Sequence, residues 1–452
     1  SPLGLGVCLA MQWFAGFPPF FILSVLAVSI WACSQGRKGL RCLVQGGLWA
    51  LGLASVQWIP FVELMGLASR RIILDPAMAR QFSIAPGQLL KVAFLPQWTY
   101  FSPAVVGDPA IICFYVGLVA WGLALGVVSR GDRREAALGV GCVAALVLSL
   151  GGYLPGFDRM IFLRIFRFPA NWLYLSTTCL ALLAAAGVAR LRSTVWKWAA
   201  VMALILDMVV FAQAPRVAWS RPEFLSEPPA FTRLFQAERS LARIYHTEEL
   251  RRVWERGMLE TEDDYLLMRD FLAPSYGAAF GVSEASSYQT LRLKRANEYR
   301  ARMAREGPGS PLADWAGIET VVGIRQGALR VDRGSIGVTA RATAKARVFL
   351  EPQAAGSVRL ASYAAGRVAA RVDVSNETQV VMSEMDYPGW RVFLDGTSAS
   401  KILFADVFPS VTVPAGGHDI LFVFRPLSIF IGGLFSLLTC GLLAVTFVRR
   451  AA

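Results

Sequence analysis

The chain has 452 residues, 55% hydrophobic and only 17% charged, with a mean hydropathy of +0.47 and a formal net charge of +13. A soluble domain carries about 25% charged residues, so a protein soluble throughout is excluded, and the ordered apolar patterning excludes a disordered one. Residues 1–214 hold 16 Lys/Arg against 7 Asp/Glu, and residues 215–452 hold 29 against 25; most of the basic excess lies in the apolar half, which fits membrane topology charge and argues against a nucleic-acid partner.

The chain opens on Ser1, without an initiator Met, directly in an apolar run. No signal peptide is visible, and the expectation is a piece whose N-terminal part is missing. A bilayer takes about 20 apolar residues to cross. Candidate spans are 3–14 (partial), 15–33, 42–61, 111–128, 136–154, 172–189, 198–214 and 427–447, with Pro18 and Pro19 separating the first two or breaking one helix. The short loops holding Arg37, Lys38 and Arg41, then Arg130, Arg133 and Arg134, then Arg190, Arg192 and Lys197, share one side with Arg449 and Arg450. The positive-inside rule makes that side cytoplasmic. Loops 64–110 and 155–171 and the polar region from 215 then face outward.

The polar region divides in two. Residues 215–327 mix charged helical stretches with loops; "LRLKRANEYRARMAREG" reads as a solvated helix face. Residues 328–425 read as strands. Val368, Ala370, Val372 and Val374 alternate with Arg367, Ala369, Arg371 and Asp373, and "DGT" and "PAGGH" turns separate further runs, the pattern of a β-sandwich. The expected architecture is a multi-pass α-helical membrane bundle (1–214), an extracytoplasmic mixed α/β region (215–327), a β-sandwich (328–425) and one closing transmembrane helix with a basic tail (426–452).

Seven cysteines all lie in or beside apolar runs, and His246 and His418 are the only histidines. No disulfide framework or paired-Cys metal spacing results, no cofactor is evident, and a divalent cation stays open. Four carboxylates draw attention. Glu63 ends a span on the outer side, either positioning an acceptor or metal or pairing with a nearby Arg. Asp207 lies ten residues into its span, about 15 Å deep at 1.5 Å per residue, and is either functional or a hydrogen bond between helices. Asp108 before Pro109 is either functional or an N-cap. Asp386, with Tyr387, Trp390 and Asp395, forms either a sugar-stacking surface or a sandwich anchor beside a hairpin turn. The outward arginines Arg70, Arg71, Arg164 and Arg167 run against the topology rule and suit a phosphate clamp, with Trp98, Tyr100 and Trp172 as interfacial anchors; attraction to anionic lipid heads explains them equally well.

"MDYPGWRVFLDG" followed by "FPSVTVPAGGHDILFVFRPLSIFIGG" resembles the closing part of the YfhO-type family of bacterial membrane proteins. "YLPGFDRMIFLRIFRFPANW", "QWIPFVELMGLASR" and "SSYQTLRLKR" are similar to its outer loop, its proline–glutamate–serine–arginine segment and its tyrosine segment, in the same order. Asn171 departs from the pattern, standing where the family often has a second arginine. The resemblance implies a glycosyltransferase-C type fold in the bacterial cytoplasmic membrane, a polyprenyl-phosphate-linked sugar as donor and a cell-surface polymer as acceptor. The catalytic carboxylate of that fold lies in the first outer loop, upstream of residue 1 on this reading, so no catalytic residue is carried over. Two other classes compete: a lipid-linked saccharide transporter or flippase, and a non-catalytic cell-envelope assembly partner.

Overall fold

The computed structural model describes residues 1–452 apart from 71–73, 90–114, 130–132, 213–225, 233–240, 242, 256–261, 274, 286–290, 326–334 and 452. Two compact units emerge. The first comprises Ser1–Val62, Arg71–Ala218 and Ser428–Ala452; the second comprises Glu63–Arg70 and Trp219–Leu427.

The first unit is helical: α1 (Pro2–Phe14), α2 (Pro18–Ser34), α3 (Gly36–Leu53), α4 (Ser55–Leu67), a single turn α5 (Pro76–Ala79), α6 (Leu118–Val128), α7 (Arg133–Ser149), α8 (Trp172–Arg190), α9 (Thr194–Ala212) and, near the C-terminus, the last helix, Leu427–Ala451. Gly16 (φ +82°) and Phe17 (φ +57°) turn the chain between α1 and α2, and Pro18 starts the second helix, so the two are separate. Leu23, Leu138, Cys142, Ala145, Cys179 and Leu180 form the buried core of α2, α7 and α8. A Cβ on Gly6 would stand 2.4 Å from the Trp49 Cβ, so only glycine lets α1 and α3 cross so closely. Helices α3 and α4 meet at an 80° bend. There Ser55 Oγ donates to Gly432 O at 2.9 Å and Ser436 Oγ to Leu53 O at 2.8 Å, tying the last helix to the bend.

Among the described residues, two helices are long and apolar enough to cross a membrane, Pro169–Arg190 (its first turn 3-10) and Leu427–Thr446; the bent pair α3–α4 would make a third if it is one broken span. Helices α1, α2 and α6 are apolar but have 13, 17 and 11 residues. Among the described residues, candidate transmembrane helices, the closing one included, thus occur in fewer places than hydropathy alone expects.

The second unit holds three sheets. In the first, β1 (Arg243–His246) lies between β2 (Ser283–Glu284) and β3 (Ile318–Ile324), parallel to both, and β4 (Ile336–Ala340) pairs antiparallel with β3. Helices α10 (Glu248–Glu255), α11 (Glu262–Asp270), α12 (Lys294–Glu306) and α13 (Pro311–Trp315) make the crossovers. The last helix, Leu427–Ala451, is thus α14. The other two sheets are wholly antiparallel and form the expected sandwich. Their strands are β5 (Val348–Glu351), β6 (Gly356–Ala364), β7 (Arg367–Val374), β8 (Thr378–Met382), β9 (Trp390–Leu394), β10 (Thr397–Ala399), β11 (Ile402–Phe404), β12 (Phe408–Val413) and β13 (Gly416–Phe424). The orders are β10-β9-β13-β7-β6 and β11-β12-β8-β5.

The alternation in β7 is real: Val368, Ala370, Val372 and Val374 are buried against Val380, Met382, Val411 and Phe422. The four-stranded sheet is covered on both faces, since Phe349, Val381 and Phe408 turn the other way onto Tyr299, Met303 and Leu312. Accordingly Phe408, Pro409, Ser410, Val411 and Val413 of β12 are all buried. The sandwich begins at Val348; the expected start at 328 is corrected, because β4 completes the first sheet through its ladder with β3.

Candidate functional site

The structure brings two of the sequence-selected residues, Glu63 and Tyr387, together. Glu63 lies in the last turns of α4 and, with the segment to Arg70, belongs to the second unit. Tyr387 lies beside its carboxylate, and burial, together with that neighbouring acid, pushes the phenol up to about 12. Oε1 of Glu63 is buried and has no hydrogen-bond partner among the described residues. Beyond α4, Ser69 N–H donates to Arg292 O at 2.8 Å and Ala68 bridges Leu293.

The rest of the YPGW motif is packing. Tyr387 and Trp390 both lie against Phe424, with ring centroids 5.9 and 5.2 Å away, and Trp390 is half-buried at the edge of the sandwich core. Gly389 (φ +120°) is required because a Cβ there would stand 2.7 Å from Pro426, where the chain turns into α14. Asp386 is paired with Lys401 Nζ at 2.5 Å. Asp395 (φ +50°) and Gly396 (φ +80°) form the two-residue β9–β10 turn. The His418 Nδ1–H at 2.7 Å and the Asp419 N–H at 2.8 Å hold the Asp395 carboxyl below its ordinary range. These contacts favour the anchor over a stacking platform.

Of the four arginines expected to share a phosphate, Arg164 and Arg167 have contacts of their own. Arg164 donates from Nε to Leu74 O at 2.8 Å, while Leu74 N–H donates back to Arg164 O at 3.0 Å. Arg167 donates from Nε to Gln81 Oε1 at 3.2 Å and lies over the Phe168 ring. The short 3-10 helix ends at Ile165, so Arg164 and Arg167 do not share a helix face. Arg70 belongs to the second unit; Arg71, with Trp98, Tyr100 and Asp108, lies outside the described residues. Trp172, the remaining anchor, is 5% exposed against Phe166.

Asp207 is hydrogen-bonded between helices. It accepts from Tyr115 Oη at 2.5 Å and from the backbone N–H of Val119 at 3.1 Å, capping α6 from a neighbouring helix. Gly117 (φ +97°) makes room, since a Cβ there would lie 2.7 Å from Asp207 Oδ2.

Sequence reasoning passed over a cavity of about 700 Å³ in the same unit, lined by Arg243, Arg292, Arg300, Arg347, Glu284 and Glu384 among others. Glu384 Oε1 accepts from Arg243 Nη2 (2.7 Å), Arg347 Nη1 (3.1 Å) and Tyr363 Oη (2.6 Å). The signal was present in "LRLKRANEYRARMAREG", but period alone does not say which charged positions face inward. Tyr299 and Met303 of α12 are buried and the Arg300 side chain is 12% exposed, so that helix is not a solvated face throughout. Among the described residues no three His, Cys, Asp or Glu side chains converge on a metal position.

No family model matches the chain, and no curated protein matches it either.

Proposed function

We propose that the chain is a membrane glycosyltransferase of the YfhO type, moving a sugar from a polyprenyl-phosphate donor to a cell-surface polymer on the outer face of the bacterial cytoplasmic membrane. On this reading the helices of the first unit form a multi-pass bundle and the second unit is extracytoplasmic. The observation that carries it is Glu63. A carboxylate at the outward end of an apolar helix pair lies beside the Tyr387 phenol and has its Oε1 buried with no hydrogen-bond partner among the described residues. An ionisable group so placed is a functional candidate.

The chemistry is a displacement at the anomeric carbon. The acceptor hydroxyl gives its proton to the open Glu63 oxygen as its oxygen bonds to the anomeric carbon. The bond from that carbon to the donor phosphate breaks, and polyprenyl phosphate leaves with the electron pair. Tyr387 orients the carboxylate.

The test is transfer of labelled sugar from polyprenyl-phosphate-linked sugars to envelope polymer in membranes containing the full chain. Glu63→Gln keeps the Tyr387 contact and removes the base; transfer should fall about 10²- to 10⁴-fold, the usual worth of a positioned base. Transfer at the parental rate in the Gln variant removes Glu63 from the chemistry. A parental chain that moves no sugar from any such donor removes the reaction.

A further inference from the structure

The five-stranded sheet of the sandwich has one face on the core and one turned away from it. Since Val368, Val372, Phe422 and Val392 lie in the core, the alternate positions of β7, β13 and β9 stand on the outer face. The ladders order that face in rows. Val423 pairs with Arg367 on one side and Arg391 on the other, so the first row runs Arg367–Val423–Arg391. The next, Ala369–Leu421–Phe393, is uncharged. Beyond it come Arg359, Arg371 and Asp419, the last two an ion pair at 3.9 Å. Arg425, two positions past Val423, has the parity of the first row and is exposed, as are Arg367 and Arg391.

Three guanidiniums thus gather at one end of the face with no acid among them. Val423 is only 7% exposed although it points outward, as expected where long arginine stems flank it. Among the described residues, no ion pair or side-chain hydrogen bond engages Arg367, Arg391 or Arg425. The nearby acids are committed elsewhere: Asp386 pairs with Lys401, and Glu63 lies beside Tyr387. Arg367 and Arg391 stand two strands apart, about 10 Å, where like charges repel and an anion between them would offset the cost.

The course of the chain selects the anion. Strand β13 ends at Phe424, and Leu427 opens a helix long and apolar enough to cross a membrane. Two residues reach at most about 7 Å, so Arg425 lies that close to the start of the span. The head-group layer takes up about 5–8 Å on each side of a bilayer, and the ladder ties Arg367 and Arg391 to the same level through Val423. Tyr387 and Trp390, half-buried on Phe424, are at this end too, and such aromatics favour the membrane interface. Guanidinium forks suit phosphate oxygens. We propose that this end of the sheet rests on the bilayer that α14 enters, with Arg367, Arg391 and Arg425 bound to the phosphates of anionic phospholipids.

This contact rests on α14 crossing the membrane and is independent of sugar transfer. The full chain is reconstituted in nanodiscs of phosphatidylcholine alone, or of equal parts phosphatidylcholine and phosphatidylglycerol, and treated with phenylglyoxal; mass spectrometry reads the modification rate at each arginine. Arg367, Arg391 and Arg425 should react about fivefold more slowly in the anionic discs, the worth of one basic side chain at such a surface. Arg359 and Arg371 are the internal control. They lie about 13 Å farther up the same face, past the ~10 Å Debye length of 0.1 M salt, and should react alike in both discs. Salt at about 1 M should erase the difference. Millimolar inorganic phosphate over phosphatidylcholine discs should leave all five rates unchanged. A chain that enters neither disc removes the span and the contact with it. In loaded discs, the proposal falls if the three arginines react at one rate in both lipids, if Arg359 and Arg371 slow as much as they do, or if free phosphate protects them as well as phosphatidylglycerol.

Discussion

Two neighbouring strands of the second unit carry titratable groups, one buried and one partly buried, whose pH responses oppose. His246 in β1 is 0% exposed, with Nε2 2.9 Å from the Phe271 carbonyl and the ring 5.4 Å from Trp254. The carbonyl can only accept, so Nε2 carries the proton in a neutral ring, and burial pushes the imidazole down to about 4. Glu284 in β2, opposite Ile244 of β1, accepts from the Ser275 and Gly277 N–H groups at 2.6 and 2.7 Å. Burial nevertheless pushes it up to about 7. The unfolded chain binds a proton on His246 more readily between pH 6.5 and 4, so that contribution is lost as pH falls through the window. The folded chain binds a proton on Glu284 more readily between 4.5 and 7, so that contribution is lost as pH rises. Each shift, converted at 1.36 kcal/mol per unit, amounts to about 3 kcal/mol, less for Glu284 because it is only partly covered. The parental sheet should thus change little between pH 4.5 and 6.5. In Glu284→Gln the His246 term stands alone, and protection of the β1 and β3 amides should rise with pH by about two orders of magnitude. In His246→Gln, whose amide can still donate to Phe271 O, protection should fall as pH rises. Hydrogen–deuterium exchange of peptides spanning Arg243–His246 and Ile318–Ile324, corrected for intrinsic exchange, reads both slopes. Flat profiles in both variants, or slopes of the opposite sign, would refute the reasoning.

Two further outcomes follow from packing. Asp207→Ala strips the cap from α6 and should cost about 1–2 kcal/mol, whereas Asp207→Asn keeps an acceptor for the Val119 N–H and should cost less; equal thermal midpoints for both would remove the cap. Trp390→Ala should destabilise by less than the ~3–5 kcal/mol of a fully buried ring, because Trp390 is only half-buried on Phe424; thermal unfolding measures it, and a midpoint unchanged with transfer abolished would restore the stacking platform.

The sandwich was legible because period two in Arg367–Val374 is a direct image of one face being buried, and because "DG" dictates a two-residue turn. The strand 336–340 was misassigned for a physical reason: strand character does not encode which sheet a strand joins. Hydropathy found the apolar stretches, and Pro18 and Pro19 left open whether the first two were one broken helix; the positive φ of Gly16 and Phe17, which composition does not register, is what separates them. The meeting of Glu63 and Tyr387, and that of Arg243 and Glu384, join positions over a hundred residues apart. Such pairings depend on topology, and no local pattern carries them.

The bond from Ser55 to Gly432 spans 377 positions, and the whole second unit lies between its ends. During synthesis at about 5–20 residues per second, the α3–α4 bend therefore waits about 20–75 s for the helix that fastens it. In that interval the sheets can complete, since all their strands precede α14. The helical unit is begun first and finished last, and a ribosome stalled after residue 427 would hold a folded sheet region and a hinge still unlatched.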